Sequence, residues 1–228
     1  MLKKSEYSDF LNPAEIENNL TLPADLTFRK SEFAVSIVSA SQIIFDFVSE
    51  MKWTKHLKKP LFKKTEIFHS EKDMWKAIKS YTGEPNEELP IAGLSAAIEQ
   101  DILFSITPSR FLKIRPEYNS VDNPWVRLLA HEMAHILHLR IAGDENKMGP
   151  KWFFEGFALY VAGQIISNKK INTFEEAISA INDNSRSAYT SYFNAFDFFR
   201  RSIPVDELME MSQRDDFLFQ LETRTKPK

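Results

Sequence analysis

The sequence predicts an α+β protein, in which a small mixed β-sheet lobe is followed by a helical lobe. Strand-like segments occur only before Pro124, and the apolar segments after it have helical spacing. Hydrophobic residues make up 43% of the chain and charged residues 27%, as in ordinary globular domains. The predicted division is a polar lead-in over 1–30 and one domain over 31–228, made of an α/β lobe (31–123) and a helical lobe (124–228).

Residues 1–30, which precede the α/β lobe, are expected to form a loosely structured lead-in because they are polar and contain two prolines. Apolar residues recur at helical spacing over 33–51, which favours a helix, although FAVSIV within it is also compatible with a strand. A basic stretch containing Trp53 follows. The simpler interpretation of this basic stretch is a solvated surface, and the alternative is a binding patch for an acidic partner. Its lysines are Lys52, Lys55, Lys58, Lys59, Lys63 and Lys64.

The rest of the first lobe is predicted to form strands around one helix. KTEIF (64–68) predicts a strand, and Ser70 is the predicted N-cap of a helix that ends near Gly83. LSAAIEQDILFSITPS predicts one or two strands around 94–106.

The helical lobe begins with a helix over 124–142, which has Pro124 at its first position and Gly143 just past its end. Thr173 and Glu176 form a capping box at the start of a later helix. The predicted helices after the first one cover 150–165, 174–181, 188–202 and 205–212, and the capping box belongs to the helix over 174–181.

Composition and charge exclude several classes of function. A net charge of −3 gives no reason to expect a nucleic-acid partner, and the absence of cysteine excludes disulfides and thiolate metal ligands. The N-terminus has no apolar segment typical of a secretory signal. The sequence also contains no run of about 18 apolar residues, which a transmembrane helix would need. We therefore expect a cytoplasmic protein with no membrane partner.

Three of the five histidines fall within eight positions of the first helix of this lobe. His131 and His135 are four residues apart, so both imidazoles leave the same face of the helix and can meet on one tetrahedral metal ion. Glu132 projects at an adjacent angle, where it can contact a water molecule on the metal. This H-E-x-x-H pattern is typical of two zinc ligands and a general base.

Glu155 is the predicted third ligand. It is the single acid in GPKWFFEGFALYVAG (149–163), a strongly apolar segment with helical spacing. Turn-forming residues over 143–149 let the chain reverse, which brings Glu155 back alongside the histidines. A carboxylate among aromatic residues is costly to bury without a partner, and a divalent cation supplies one. The alternative is a surface acid at the edge of an aromatic face.

AHEMAH followed by KWFFEGFALYVAG resembles the gluzincin metallopeptidases, the thermolysin-like clan that includes the zinc aminopeptidases. The resemblance covers 128–163 closely and extends loosely over 65–210. It implies a thermolysin-like catalytic domain that hydrolyses peptide or protein substrates. It also implies Zn²⁺ as cofactor, Glu132 as catalytic base, and the metal ligands His131, His135 and Glu155.

Some positions depart from the family pattern. In the aminopeptidases, the glutamate of a GAMEN-type segment binds the free amino terminus of the substrate. IAGLSAAIEQD does not match this segment, so Glu99 is only a weak candidate for that role, and the choice between endo- and exopeptidase activity stays open. Phe154 stands where those enzymes usually have Asn. Leu159 occupies the position at which thermolysin has an acid that supports a zinc-bound histidine.

The resemblance also suggests residues that would assist at the substrate carbonyl. Tyr189 is the better match to the tyrosine that stabilises the oxyanion, with Tyr192 as the alternative, while both could instead pack in an aromatic core. His138 contacts substrate or ligands in one interpretation and is buried under the Glu155 helix in the other. Residues 101–109 are expected to form an edge strand that pairs with an extended substrate.

Two other functions remain possible from the sequence. The chain could be a catalytically inactive binding or regulatory protein with a structural zinc site, or a zinc hydrolase that acts on another carbonyl. Glu132 argues against the inactive protein, because it adds nothing to metal affinity.

Overall fold

The computed structural model describes residues 11–83, 94–165, 170–183, 185 and 188–225. Within these ranges the protein is α+β, with a small mixed sheet in the first part of the chain and helices alone in the last. The chain divides into two compact units, Met1–Met133 and Ala134–Lys228. The sequence placed the change of lobe after residue 123, whereas this boundary falls inside a helix.

The N-terminal segment is more regular than the sequence predicted. It forms α1 (Pro13–Asn18), β1 (Leu20–Thr21) and a 3₁₀ turn (Ala24–Arg29), so the loosely structured lead-in is a wrong prediction for these residues. Pro13 occupies the first helical position, where its missing N–H costs nothing, and the Asn12 side chain accepts from the Ala14 backbone N–H. The part of the lead-in over 1–10 lies outside the described residues.

Helix α2 (Lys30–Glu50) corresponds to the helix predicted over 33–51 and starts three residues earlier. By length and composition alone, the segment Ala24–Glu50 could cross a membrane, although no apolar run in the sequence predicted this. One face of α2 is buried and the other carries exposed polar residues, which is the pattern of an amphipathic helix packed on a core. The buried residues are Phe33, Ala34, Ile37, Ala40, Ser41, Ile44 and Val48.

The sheet contains β1, β2 (Lys64–Phe68), β3 (Ala96–Glu99) and β4 (Ile102–Ile106) in the order β1-β2-β4-β3. β1 and β4 are both parallel to β2, and β3 is antiparallel to β4. The strand predicted at 64–68 is confirmed. Helix α3 (Glu71–Thr82) follows it, with the Ser70 side chain as N-cap and Gly83 in the left-handed conformation.

The predicted edge strand over 101–109 is wrong. β4 lies between β2 and β3, and all five of its residues are buried. Its nearly continuous apolar run is typical of a strand covered on both faces. The edge next to it is β3, whose Glu99 is exposed, and the residues after β4 turn into helix α4 (Pro108–Ile114).

Helix α5 (Pro124–Ala142) has the predicted bounds and continues from the first unit into the second. Trp125 anchors its first turn to the sheet, because the indole N–H lies 2.9 Å from the Ile106 carbonyl oxygen and 3.1 Å from Ser105 Oγ. Gly143 follows the helix with a φ of 78°. A residue in this left-handed conformation ends the helix.

The second unit continues with α6 (Lys151–Ala162), α7 (Phe174–Ile181), α8 (Ala188–Arg200), α9 (Val205–Met211) and α10 (Phe217–Thr225). The predicted capping box at the start of α7 is confirmed. Helix α10 was not predicted, because Leu218 and Phe219 are exposed beside the buried Phe217 and Leu221 and obscure the helical spacing. An aromatic cluster forms the core around α6, with Trp152, Phe153, Phe157, Phe196, Phe199 and Phe217.

Candidate metal centre

Helix α5 presents His131 and His135 from one face, and apolar residues elsewhere on the helix are buried. Leu129, Met133 and Leu137 have no exposed surface, so their packing holds the helix in place. His131 is 5% exposed, and the His135 side chain, one turn later, is 22% exposed. Both imidazoles therefore occupy a mostly dry site that solvent still reaches at one histidine.

The chain reverses between α5 and α6 through glycines and a short 3₁₀ turn, Glu145–Lys147. Gly149 has a φ of 79°, and a Cβ there would lie 2.9 Å from the Ser212 Cβ, so both the backbone conformation and the space favour glycine. Helix α6 starts at Lys151, and Glu155 follows one turn later, 7% exposed. The predicted return of Glu155 to the histidines is thus produced by the α5–α6 reversal.

Within the described part of the chain, His131, His135 and Glu155 form a group that could hold a metal ion. One ligand atom from each residue lies within 4.8 Å of the other two, and His135 Nε2 is 3.6 Å from Glu155 Oε2. Two atoms that share one tetrahedral zinc, each about 2.1 Å from it, are about 3.4 Å apart. The distance between His135 and Glu155 therefore matches a shared divalent cation, and two imidazoles with one carboxylate are a donor set that suits zinc.

Glu132 follows His131 directly and is partly exposed. Neighbouring residues of a helix are separated by about 100°, so Glu132 leaves α5 at an angle beside the histidines rather than on their face. A carboxylate in this position can accept a proton from a water molecule that enters on the solvent side.

The two tyrosines of α8 have different roles in the packing. The Tyr192 hydroxyl donates to the Asp183 carbonyl oxygen at 2.9 Å, and burial, with the charges of Asp183 and Glu155, raises the pKa of Tyr192. The Tyr189 hydroxyl instead makes a long hydrogen bond of 3.5 Å to Glu155 Oε1. Of these two tyrosines, Tyr189 is therefore the one whose hydroxyl reaches the three candidate metal ligands, called the metal group below.

His138 is buried against α6, which corresponds to the second of the two interpretations. It is 1% exposed, and its ring makes edge contacts with Phe157 and Phe153 at centroid distances of 5.0 and 5.6 Å. Its Nδ1 has no hydrogen-bond partner among the described residues. Burial, and to a smaller extent the charge of His135, lowers the pKa of His138 to about 3.

This buried histidine makes stability depend on pH. Its pKa is about 3 in the folded chain and 6.5 when unperturbed, so between these values the unfolded chain binds a proton that the folded chain excludes. Stability should therefore fall as pH drops from 6.5 towards 3. The free energy of unfolding is measured with urea in the presence of a chelator at pH 7 and pH 5. In His138→Leu, its decrease between these two pH values should be about 2 kcal/mol smaller than in wild type. Equal losses would contradict this assignment.

Two residues beside Glu155 were not recognised as part of the site from the sequence alone. Gly156 packs against α8, where a Cβ would lie 2.7 Å from the Tyr192 carbonyl oxygen. The Phe154 ring lies edge-on to His135 at a centroid distance of 5.7 Å. A glycine inside an apolar helix signals such a close approach, whereas nothing in the local sequence indicates the partner of Phe154.

Two further positions were considered from the sequence. Leu159 is buried in α6 and carries no polar atom that could support a histidine. Glu99 is the exposed last residue of the edge strand β3.

Comparison of the chain with protein-family models, with curated proteins and with solved structures finds no match. Function therefore has to be inferred from the geometry of the metal group and its neighbours.

Proposed function

We propose that this protein is a zinc-dependent peptidase of the gluzincin type, built on a thermolysin-like arrangement of its α+β fold. The observation that carries the proposal is the convergence of His131, His135 and Glu155, each offering a ligand atom within 4.8 Å of the others. Three protein ligands leave a fourth tetrahedral position open, as in catalytic zinc sites. The partial exposure of His135 supports the access of a substrate or water to that position.

The side chains around this group supply the proton transfers of peptide hydrolysis. When bound, zinc would polarise the substrate carbonyl and lower the pKa of a water molecule. Glu132 accepts the proton of the attacking water and then delivers it to the nitrogen of the leaving amine. A carboxylate beside the ligands, partly exposed to solvent, suits this role better than a ligand role.

Tyr189 assists at the carbonyl oxygen. Negative charge develops on this oxygen as water adds, and an O–H donor aimed at it stabilises the transition state. The Tyr189 hydroxyl, 3.5 Å from a ligand carboxylate, is close enough to exchange that long hydrogen bond for one to the substrate. Tyr192 is a poorer donor for this purpose because its hydroxyl already bonds to the Asp183 carbonyl.

The two tyrosines give a matched pair of variants. Tyr189→Phe should retain zinc and lower kcat about 100-fold, the usual cost of removing one oxyanion donor. Tyr192→Phe should keep kcat near the wild-type value and lose about 1 kcal/mol of stability with its hydrogen bond. Steady-state kinetics and urea unfolding of both variants test the assignment. Equal effects of the two changes on kcat would contradict it.

The proposed activity is tested by digestion of a peptide library with zinc-loaded protein, followed by sequencing of the products. The expected result is cleavage that stops when zinc is removed by a chelator and returns when zinc is added. The product ends also separate internal from terminal cleavage. A protein that binds zinc but cleaves no peptide would favour the structural zinc site of a binding protein instead.

A further inference from the structure

Phe154 holds an unusual position beside the metal group. It precedes Glu155 on α6, and its ring stands at 72° to the His135 imidazole with the centroids 5.7 Å apart. Unlike its neighbours Trp152 and Phe153, which are 5% and 0% exposed, Phe154 is partly exposed. An aromatic surface therefore faces solvent next to a candidate metal ligand.

The aromatic core around α6 is formed by rings other than Phe154. The core side of the helix is filled by other rings, with Phe153 in edge contact with Phe217 and Phe157 against Phe196. A polar side chain at position 154 would be better solvated than a partly exposed phenyl ring. The partly exposed Phe154 ring thus adds apolar surface next to His135.

Tyr189 also faces this group, through its hydroxyl at Glu155 Oε1. A carbonyl held at the three ligands would have a polar donor available from α8 and an apolar ring beside His135. Side chains next to a scissile bond lie only a few ångströms from its carbonyl. The Phe154 ring is therefore within reach of one of them.

We propose that Phe154 is a specificity-determining residue, and that it selects peptides with a large apolar or aromatic side chain adjacent to the scissile bond. The inference rests on the proposed peptidase function. Two rings with centroids about 4.5–7 Å apart attract each other beyond the effect of area burial, so an aromatic side chain beside the scissile bond would gain most from the Phe154 ring. Small or charged side chains at the same position would leave the ring uncovered.

The experiment compares kcat/KM for two peptides that differ only in Phe or Ala beside the cleaved bond identified by the library. For Phe154→Ala the preference for the Phe peptide should fall about tenfold or more, while Phe154→Leu keeps part of it. Zinc content is measured for each variant, so that loss of metal is separated from loss of contact. Phe219→Ala, which changes a ring 69% exposed on α10, is the matched control and should keep the wild-type preference.

An equal loss of kcat/KM on both peptides would overturn the inference, because it would make Phe154 a positioning residue for His135. An unchanged preference in both Phe154 variants would overturn it as well. A wild-type protein that cleaves peptides without any such preference would overturn this inference alone. If zinc-loaded wild type cleaves nothing, the peptidase proposal fails and the inference fails with it.

Discussion

Glu132→Gln should retain zinc and lose nearly all peptide hydrolysis. The amide has the shape of the carboxylate but cannot accept the proton of the attacking water, so kcat should fall about 10³-fold, within the usual range for a general base. The proposed ligands His131, His135 and Glu155 are unchanged, so the metal content should stay at the wild-type level. Single-turnover kinetics together with metal analysis measure both quantities.

The matched control is Glu145→Gln, at an exposed glutamate in the 3₁₀ turn after α5. It makes the same chemical change outside the metal group and should leave kcat unaltered. If Glu132→Gln hydrolysed peptides as fast as wild type, Glu132 would not be the base. A variant that lost its zinc would instead show that Glu132 supports the metal.

Gly156→Ala should destabilise the second unit by about 3 kcal/mol, near the upper end of the usual cost of overpacking. The added Cβ would lie 2.7 Å from the Tyr192 carbonyl oxygen and 2.8 Å from the Phe196 Cβ, so α6 and α8 would have to move apart. Such a movement also carries Tyr189 away from Glu155, and activity should fall with stability. Thermal and urea unfolding measure the change.

Gly143→Ala provides the comparison for this change. Gly143 has a φ of 78°, and a Cβ added there would meet no atom of the described residues within 4 Å. Alanine at this position therefore encounters backbone strain alone, about 1 kcal/mol. Helix propensity by itself would make Gly156→Ala stabilising by about 1 kcal/mol. A neutral or stabilising Gly156→Ala would show that α6 and α8 do not approach this closely.

The parts of the structure that were predictable depend on local signals. Proline and glycine at its ends define α5, the Thr173–Glu176 capping box defines the start of α7, and the spacing of His131 and His135 follows from helix geometry. The position of Glu155 needed one more step, the reversal through a turn-rich segment. Apart from that step, each of these features is encoded within a few residues of the chain.

The parts that were missed depend on distant partners. Whether 102–106 is an edge or a central strand is decided by β2, which lies earlier in the chain beyond helix α3, and by the hairpin to β3. The choice between Tyr189 and Tyr192 depends on where α8 meets α6 and the Asp183 carbonyl. The contact of Phe154 with His135 likewise joins two helices, and no local pattern encodes it.

Calorimetric titration of the metal-free protein with zinc tests the central claim most directly. We expect one zinc per chain for wild type. In Glu155→Ala, affinity should drop by more than the roughly 100-fold that loss of an outer partner of a metal ligand costs. Glu145→Ala, at the exposed turn, should bind as wild type does. Absence of zinc binding in folded wild type, or equal affinity in all three proteins, would contradict a metal centre at His131, His135 and Glu155.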